Sequence, residues 1–311
     1  MAGIATKENL ISLFGTMALD KSAYLFPYLA GSLKDVDPTL TVRNRYPLVF
    51  ASKMADFDGV ISAANRKKVT KFVAVESAKK ETHLNLGDDE MREGSSTLND
   101  GMQDMVSESY SYWDEKTMVA LEANGVAFDG VAYFHAAHNV NGINAVDGTQ
   151  ASLITGGLCD VVAPAAPTAI EAAKVLDAAI DILFGMKDLN GKLVNQGMKQ
   201  VVVAVGTSAI ATAFKTAIAT ANGSVSASAS ASAQVALGLK VNVVIKTGIT
   251  DGDVYIFRGD ATSKAVIYQD TAPETRMTPS DAKDSDNWFT YVSERGIGLG
   301  VYYNAVKAVL S

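Results

Sequence analysis

The sequence predicts an α+β protein, in which helices and strands are mixed without regular alternation. The strongest signal is a long helix over 97–124, where apolar side chains recur at helical spacing on one face. Four later segments are rich in β-branched and aromatic residues and are predicted to be strands. These segments are 200–206, 235–245, 253–258 and 264–269. Only one short helix, 208–219, lies among them, so a regular βαβ repeat is excluded.

The long helix is predicted to end at Gly125, because glycine readily takes the left-handed conformation that follows many helices. At about 1.5 Å per residue it would be a rod of about 40 Å, which is typical of a structural spine. Its opposite face is polar and is expected to be partly solvated or to face a neighbouring subunit. The polar residues on that face are Gln103, Asp104, Asp114, Glu115 and Glu122.

The N-terminal region is predicted to form a helix, a turn and a second short helical piece over 8–30, ending at Gly31. It has too few apolar neighbours in the sequence to fold alone. We therefore expect it to pack on a distant surface of its own chain or of another chain. The apolar positions that share one face are Leu10, Leu13, Phe14 and Met17.

Residues 40–86 are predicted to form a long β-hairpin with a polar tip at 56–68. An isolated hairpin is marginally stable, so this one needs a partner surface. The tip ends in a run of basic residues, which is either a solvated face or a charged contact with an acidic neighbour. The basic residues are Arg66, Lys67, Lys68 and Lys71.

A second helix is predicted to begin at Thr168, which forms a capping box with Glu171. Its buried face is expected to hold Ile170, Leu176, Ile180 and Leu183. Residues 188–192 form a tight turn. The Ser/Ala alternation at 224–234 cannot hold a strand and is predicted to be a loop. The tail, 287–309, is predicted to be two strands around a Gly-rich bend.

Composition narrows the functional classes. The 311 residues carry a formal net charge of −7, which argues against a dedicated nucleic-acid binder. Cys159 is the single cysteine, so no intrachain disulfide and no cysteine zinc cluster can form. No signal peptide and no membrane span are recognised. We therefore expect a soluble protein from a reducing compartment, without membrane contact.

The stretch YFHAAHN (133–139) contains two of the three histidines, His135 and His138. The zinc-binding HEXXH spacing is absent, and the stretch lies in a turn flanked by Gly and Asn. Further ligands by type would be His83, Cys159 and carboxylates, but nothing in the sequence places them nearby. We expect no metal: one histidine should pack and hydrogen-bond in the turn, and the other should be partly exposed.

Other motifs also fail as sites of chemistry. The GIGLG run (296–300) lies near the C-terminal end of the sequence and does not open a helix, so it is not a dinucleotide fingerprint. The strand-to-helix segment 201–214 could hold an anion, but it lacks a Gly-rich loop and a lysine. Asp56 and Asp58 do not fit a calcium loop, and no GXSXG elbow occurs. No catalytic, cofactor-binding or metal-binding residue is predicted.

Four segments together resemble the major head subunits of Mu-like phages. They are AFDGVAYFHAAHNVNG (127–142), MKDLNGKLVNQGMKQVVVAVGTSAIATAF (186–214), DVYIFRGDATSKAVIYQDTAPETRM (253–277) and NWFTYVSERGIGLGVYYNAVKAV (287–309). They occur in the order found in that family, and with the long helix they cover the chain from residue 97 to its end.

The resemblance implies the Hong Kong 97-type phage capsid fold. The N-terminal arm would be 1–40, the extended β-hairpin loop 41–90, and the peripheral domain 91–160 with the spine helix 97–124. Residues 161–280 would be mainly the axial domain, and the C-terminal strands of 281–311 would return to the peripheral domain. The histidine turn would then be structural, and replacing both histidines by alanine is expected to leave assembly intact.

The implied function is a major capsid protein, with no enzymatic activity. It would assemble in the bacterial host cytoplasm into pentamers and hexamers of an icosahedral virion head around double-stranded DNA, which it would contact weakly. A separate scaffolding protein, a portal, and a maturation protease or decoration protein would be its partners. The extended loop lacks the Trp- and Arg-containing stretch of close Mu relatives, and no crosslinking Lys or Asn is carried over.

Three alternatives remain open on the sequence. An encapsulin-type bacterial shell would have the same fold and enclose cargo enzyme instead of DNA. A tail or sheath protein would assemble into tubes. A soluble α/β enzyme would use the turn within 201–214 as an anion site and form small oligomers.

Overall fold

A computed structural model of the chain describes residues 24–32, 43–49, 70–87, 96–139, 148–221, 238–261, 264–279 and 286–311. The helices of these parts are α1 (Phe26–Leu29), α2 (Ser96–Glu122), α3 (Ala169–Gly185) and α4 (Ser208–Ala221), with 3-10 turns at Gly157–Cys159 and Tyr302–Asn304. The strands up to residue 205 are β1 (Ala30–Ser32), β2 (Arg43–Val49), β3 (Thr70–Gly87), β4 (His138–Asn139), β5 (Thr149–Gln150), β6 (Leu153–Thr155) and β7 (Gln200–Val205). The later strands are β8 (Lys240–Ile245), β9 (Asp253–Arg258), β10 (Val266–Pro279), β11 (Asp286–Leu299) and β12 (Ala305–Val309).

The first five-stranded sheet is built around the predicted hairpin. Its order is β1-β10-β11-β3-β2, and all pairings except that of β1 with β10 are antiparallel. The hairpin strands β2 and β3 are present as predicted, and the tip at 56–68 lies outside the described residues. Helix α2 packs on β3 and β11. The buried positions 73, 75 and 77 of β3 alternate with exposed ones, as a sheet with one covered face requires.

The second five-stranded sheet carries the main apolar core. Its order is β6-β12-β9-β7-β8, with β7 parallel to β8 and antiparallel to β9. Residues 201–205 of β7 are fully buried, as their uninterrupted apolar run predicts. Helices α3 and α4 pack on each other, α3 also on β12 and β9, and α4 on β8 and β7. The segment 224–234, predicted to be a loop, lies outside the described residues.

The C-terminal strands divide between the two sheets. Strand β11 lies between β10 and β3, beside α2, whereas β12 lies between β6 and β9 in the second sheet. The strands of 281–311, which were expected to return to the peripheral domain, therefore pair with different neighbours. Between them, the 3-10 turn Tyr302–Asn304 redirects the backbone. The domain boundaries themselves stay a prediction.

The GIGLG run is not the bend that its glycines suggested. Gly296 and Gly298 lie inside β11, directly against β3. A Cβ at residue 296 would collide with the backbone oxygen of Glu76, and one at residue 298 would lie 2.7 Å from Val75 Cγ2. The glycines are there because the two strands approach too closely for side chains.

The ends of α1 and α2 also differ from the prediction. Helix α1 ends at Leu29, and strand β1 begins directly after it, so Gly31 does not end a helix. Helix α2 ends at Glu122. The left-handed conformation that was expected at Gly125 is found at Asn124, where φ is 46°. Asparagine tolerates this conformation. Its side chain also accepts from Phe134 N at 2.7 Å and donates to Phe134 O at 3.1 Å.

Helix α3 begins with the predicted capping box. Glu171 N donates to Thr168 Oγ1 at 3.3 Å, and Thr168 N donates to Glu171 Oε2 at 2.7 Å. Ile170, predicted to be buried, is 43% exposed. It lies about 120° around the helix axis from Leu176, whereas Ile180 and Leu183 stay within about 40° of Leu176 and are buried.

The capping carboxylate gives a pH-dependent prediction. The backbone N–H groups of Thr168 and Val162, which donate to Glu171, hold the pKa of its carboxyl below the ordinary value. The folded protein therefore releases this proton more readily than the unfolded chain. The stabilisation is present above the unfolded pKa of about 4.3 and is lost as the pH falls through the lower folded pKa.

We expect Glu171→Gln to give a shallower loss of stability than the wild type between about pH 5 and pH 3, because the amide does not titrate. Urea unfolding at a series of pH values measures this slope. In a Thr168→Ala background the same substitution should change the slope less, since one partner of the carboxylate is gone. Equal slopes for wild type and Glu171→Gln would contradict the prediction.

Candidate functional site

The histidine turn forms a buried polar cluster around His138. The side chain of His138 is fully buried, and its Nδ1 lies 2.6 Å from Asp129 Oδ2. On the other side of the ring, Nε2 lies 2.9 Å from Ser152 Oγ and 3.2 Å from Tyr133 O. The ring stacks on Tyr302 with centroids 3.6 Å apart and an interplanar angle of 7°. The cluster joins the turn after α2 to β5, β6 and the C-terminal region.

Asp129, His138 and Ser152 have the connectivity of a serine hydrolase triad, but they cannot act as one. Ser152 is fully buried, so no substrate reaches its oxygen. Its hydroxyl donates to Tyr133 O at 2.9 Å and accepts from His135 N at 3.0 Å. A nucleophile needs an accessible oxygen whose proton passes to the histidine. The three side chains instead hold neighbouring backbone segments together.

His135 is the partly exposed member of the pair, as expected, and its Nδ1 accepts from Ala137 N at 3.1 Å. The other residues considered as metal ligands, His83 and Cys159, lie on β3 and in the 3-10 turn. In the parts of the chain that the structure describes, no three His, Cys, Asp or Glu side chains are grouped so as to hold a metal ion.

The segment 201–214 is a strand followed by a helix, as predicted, but the space beside its turn is filled. A Cβ on Gly206 would lie 2.7 Å from the backbone oxygen of Ile249, so the turn after β8 packs directly against the glycine. Thr207 caps α4: its Oγ1 accepts from Ile210 N at 3.4 Å, and its carbonyl accepts from Ala211 N. This arrangement offers no built cleft for an anion.

Arg295, which the sequence reasoning did not single out, clamps α2 to the first sheet. The side chain extends from β11 and is only 5% exposed. Its guanidinium donates to Ser109 O at 2.9 Å and to Ser293 Oγ at 2.7 Å. It also lies 5.0 Å from the Trp113 ring and 5.4 Å from the Tyr291 ring. Cation–π contacts of this kind are strongest where water is excluded.

Two carboxylates tie α2 to the second sheet. Asp114 accepts from Leu25 N at 2.8 Å and forms an ion pair with Lys246, which follows β8. Glu122 accepts from Thr250 N at 3.2 Å and from the Tyr255 hydroxyl at 2.9 Å. Burial, together with the nearby Glu122 charge, raises the pKa of Tyr255 far above its ordinary value, so the hydroxyl remains a donor.

The polar face of the long helix was expected to be partly solvated or to face a neighbouring subunit, and the contacts of Asp114 correct this expectation for that residue. Asp114 is buried and Glu122 is half-buried. A usable signal was present: Asp114 and Met118 are four residues apart, so both lie on one side of the helix beside the buried Trp113. The long helix is therefore fixed to both sheets by polar side chains, which is a mechanical role.

The comparisons with known proteins identify the fold. No family model matches the sequence, and no curated protein matches it. Among solved structures, the capsid of the cyanophage P-SCSP1u aligns with a TM-score of 0.58 and 11% identity over 95% of this chain and 90% of that chain. The capsid of Ralstonia phage GP4 aligns with a TM-score of 0.51 and 11% identity over 95% and 93%.

The chain thus has the fold of phage capsid proteins, which is the predicted Hong Kong 97-type fold. Identity this low establishes the fold alone. Among the described residues, no helix combines the length and the apolar character that a membrane span requires.

Proposed function

We propose that the protein is a major capsid protein, a shell subunit without enzymatic activity. One observation carries this proposal: the fold matches two phage capsid proteins along almost their whole length, not in one shared domain. The buried Asp129–His138–Ser152 cluster and the filled turn at Gly206 support it further, because neither offers a substrate an accessible site.

The mechanism is self-assembly into pentamers and hexamers of an icosahedral head. In this proposal 1–40 is an arm, 41–90 an extended loop that lies over a neighbouring subunit, and α2 the spine of the peripheral domain. The second sheet, with α3 and α4, forms most of the axial domain that meets its copies at the capsomer axis. Helix α2 is fixed to the first sheet by the hydrogen bonds of Arg295 and to the second by the ion pair of Asp114. The subunit can therefore make such contacts as a rigid body.

The enclosed molecule would be double-stranded DNA, held by weak and non-specific contacts. A net charge of −7 suits a wall that confines DNA without gripping its phosphates. The subunit would assemble in the cytoplasm of a bacterial host and remain in the virion capsid. A separate scaffolding protein, a portal, and a maturation protease or decoration protein would take part. Membership of the Mu-like group is the finer proposal, and it depends on the four sequence segments alone.

An encapsulin-type shell is the second candidate, since it would share the fold and differ in its contents. Electron microscopy of the purified protein, with light scattering on the same sample, tests both. Closed polyhedral shells, or free hexamers and pentamers, are expected. DNA content would then support the phage head, and protein cargo the encapsulin. A monodisperse monomer or dimer at high concentration, or open tubes, would overturn the proposal.

A further inference from the structure

A line of carboxylates runs along the exposed face of the N-terminal half of α2. Its members stand four residues apart, so they form one stripe about 12 Å long and about 80° wide on the helix surface. Like charges at this spacing lower the stability of a helix. Among the described residues, none of the salt bridges includes these carboxylates. This acidic stripe consists of Asp100, Asp104 and Glu108, and all three are exposed.

One end of the second sheet carries a group of cations. Strands β7 and β8 are parallel, so Lys199, directly before β7, and Lys240, the first residue of β8, stand at the same end of the sheet. The antiparallel β9 ends there as well, and Lys264 follows it, close enough for the charges of Asp260 and Arg258 to act on it. Neighbouring strands are about 4.8 Å apart, so the cations spread over about 10 Å. This basic cluster consists of Lys199, Lys240 and Lys264.

The acid nearest to the basic cluster, Asp260, is already engaged. One of its oxygens lies 2.9 Å from Arg258 Nε, and the other accepts from the backbone N–H of Lys199 at 3.0 Å. Lys199 and Lys240 are exposed, and in the part of the chain that the structure describes neither forms a salt bridge. The cluster therefore keeps a surplus of positive charge on a chain whose net charge is −7.

The acidic stripe and the basic cluster do not meet within one copy. Glu108 stands beside the segment of α2 that Arg295 clamps. Lys264 directly precedes the residue whose carbonyl accepts from Gly300 N. From Arg295 to Gly300 the extended chain rises about 17 Å, far more than an ion pair allows. The other two carboxylates lie farther along, toward the start of β11.

We propose that the acidic stripe of one copy docks on the basic cluster of a second copy. The two surfaces match in charge and in spacing, because the carboxylates are about 6 Å apart along the helix and the lysines about 5 Å apart across the strand ends. The partner also relieves the repulsion within the stripe. The occupant is therefore a second copy of this chain, which presents the complementary surface.

The contact joins two different surfaces, so every copy keeps one free stripe or one free cluster until a ring closes. Such a ring is the pentamer or hexamer of the proposed shell. The inference thus rests on the proposed function and names a contact that holds its rings together. Phosphates of DNA would also suit the basic cluster, but they would leave the acidic stripe unexplained.

Charge reversal tests the contact. We expect Lys199→Glu with Lys240→Glu, and separately Asp104→Lys with Glu108→Lys, to lower the yield of rings and shells at least about tenfold, because like charges then face each other. The chain that carries all four changes should recover at least about half of the wild-type yield, since the pairs return with opposite sign. Light scattering at about 0.05 M salt, where screening is weak, measures the yield.

Lys215→Glu with Asp251→Lys is the matched control, since both residues are exposed and lie outside the two surfaces. Its yield should equal that of the wild type. All five positions changed on α2, the strand ends and α4 or its opposing turn are tested in parallel by circular dichroism, which checks that each variant folds. All the reversed side chains are exposed, so their folds should be unchanged.

An equal mixture of the two double variants gives a second readout. One variant carries only acidic surfaces and the other only basic ones, so the two must alternate around a ring. Alternation needs an even number of subunits, so the mixture should form hexamers and no pentamers. Electron microscopy distinguishes the two rings.

The outcomes separate this contact from the proposed function. Shells formed equally by the wild type and both double variants would overturn the contact and leave the function standing. The contact would also be overturned if the fourfold variant failed to recover, or if the lysine variant formed normal shells that held less DNA. A wild type that stays monomeric would overturn the proposed function, and the contact with it.

Discussion

Replacing His138 by alanine is expected to lower the free energy of unfolding by about 3–5 kcal/mol. The substitution removes the ring that pairs with Asp129, whose side chain is only 2% exposed. The carboxylate would then be buried with only a long contact, 3.4 Å, from Val131 N. The substitution would also remove the hydrogen bond of the imidazole with Ser152 and its stacking on the Tyr302 ring. Urea unfolding of the purified subunit measures the loss.

Two variants distinguish the loss of the Asp129 partner from the simple effect of the cavity that the removed ring leaves. His135→Ala should lower stability by less than about 1 kcal/mol, since that side chain is half-buried and bonds only within its own turn. Asp129→Ala combined with His138→Ala should be more stable than His138→Ala alone, because the stranded charge is gone. A double variant as unstable as the sum of the two single changes would show that the pair is not coupled.

Gly296→Ala is expected to lower the free energy of unfolding by about 3 kcal/mol, because β11 and β3 have no room for a methyl group. The new Cβ would collide with the backbone oxygen of Glu76 and lie 2.9 Å from Val75 Cγ1. Backbone atoms cannot turn aside as a side chain can, so the strands must separate. Since β11 also carries Arg295, the clamp on α2 should loosen with it.

Gly197→Ala is the matched control for this strand contact. No heavy atom lies within 4 Å of a Cβ built at that position, and its backbone is not in the left-handed region. We expect its stability to stay within about 0.5 kcal/mol of the wild type. Thermal unfolding and near-ultraviolet dichroism, which reports the surroundings of the aromatic side chains, among them Trp113 and Trp288, follow both variants. A neutral Gly296→Ala would mean that β11 and β3 are farther apart than described.

Elements with strong local signals could be predicted from the sequence. The long helix, the buried strand β7 and the capping box at Thr168 follow from patterns within a few residues, and all three are present. The fold class followed from the order of four weak segments. The separation of β11 and β12 into different sheets could not be predicted, because β11 pairs with β3 and β12 with β6, and partners more than 100 residues apart leave no periodic trace.

The histidine turn shows the same limit at the level of a site. One buried and one partly exposed histidine were expected, and His138 and His135 have these positions. The partners of His138 could not be predicted, because Ser152 and Tyr302 are distant from it in the sequence and belong to no recognisable motif. The expectation that both histidines can be replaced without effect on assembly stays a prediction, and the buried contacts of His138 argue against it for that residue.

The position of the last strands has a consequence for the order of events during synthesis. Strand β11 is an interior strand of the first sheet and β12 an interior strand of the second, so neither sheet can close until residues 286–309 have left the ribosome. Pairings this distant in sequence also form slowly. In nascent chains, and in chains truncated before residue 286, both sheets thus lack an interior strand. In the proposed shell, which is built from many copies, subunits that lack these strands would therefore be excluded from assembly.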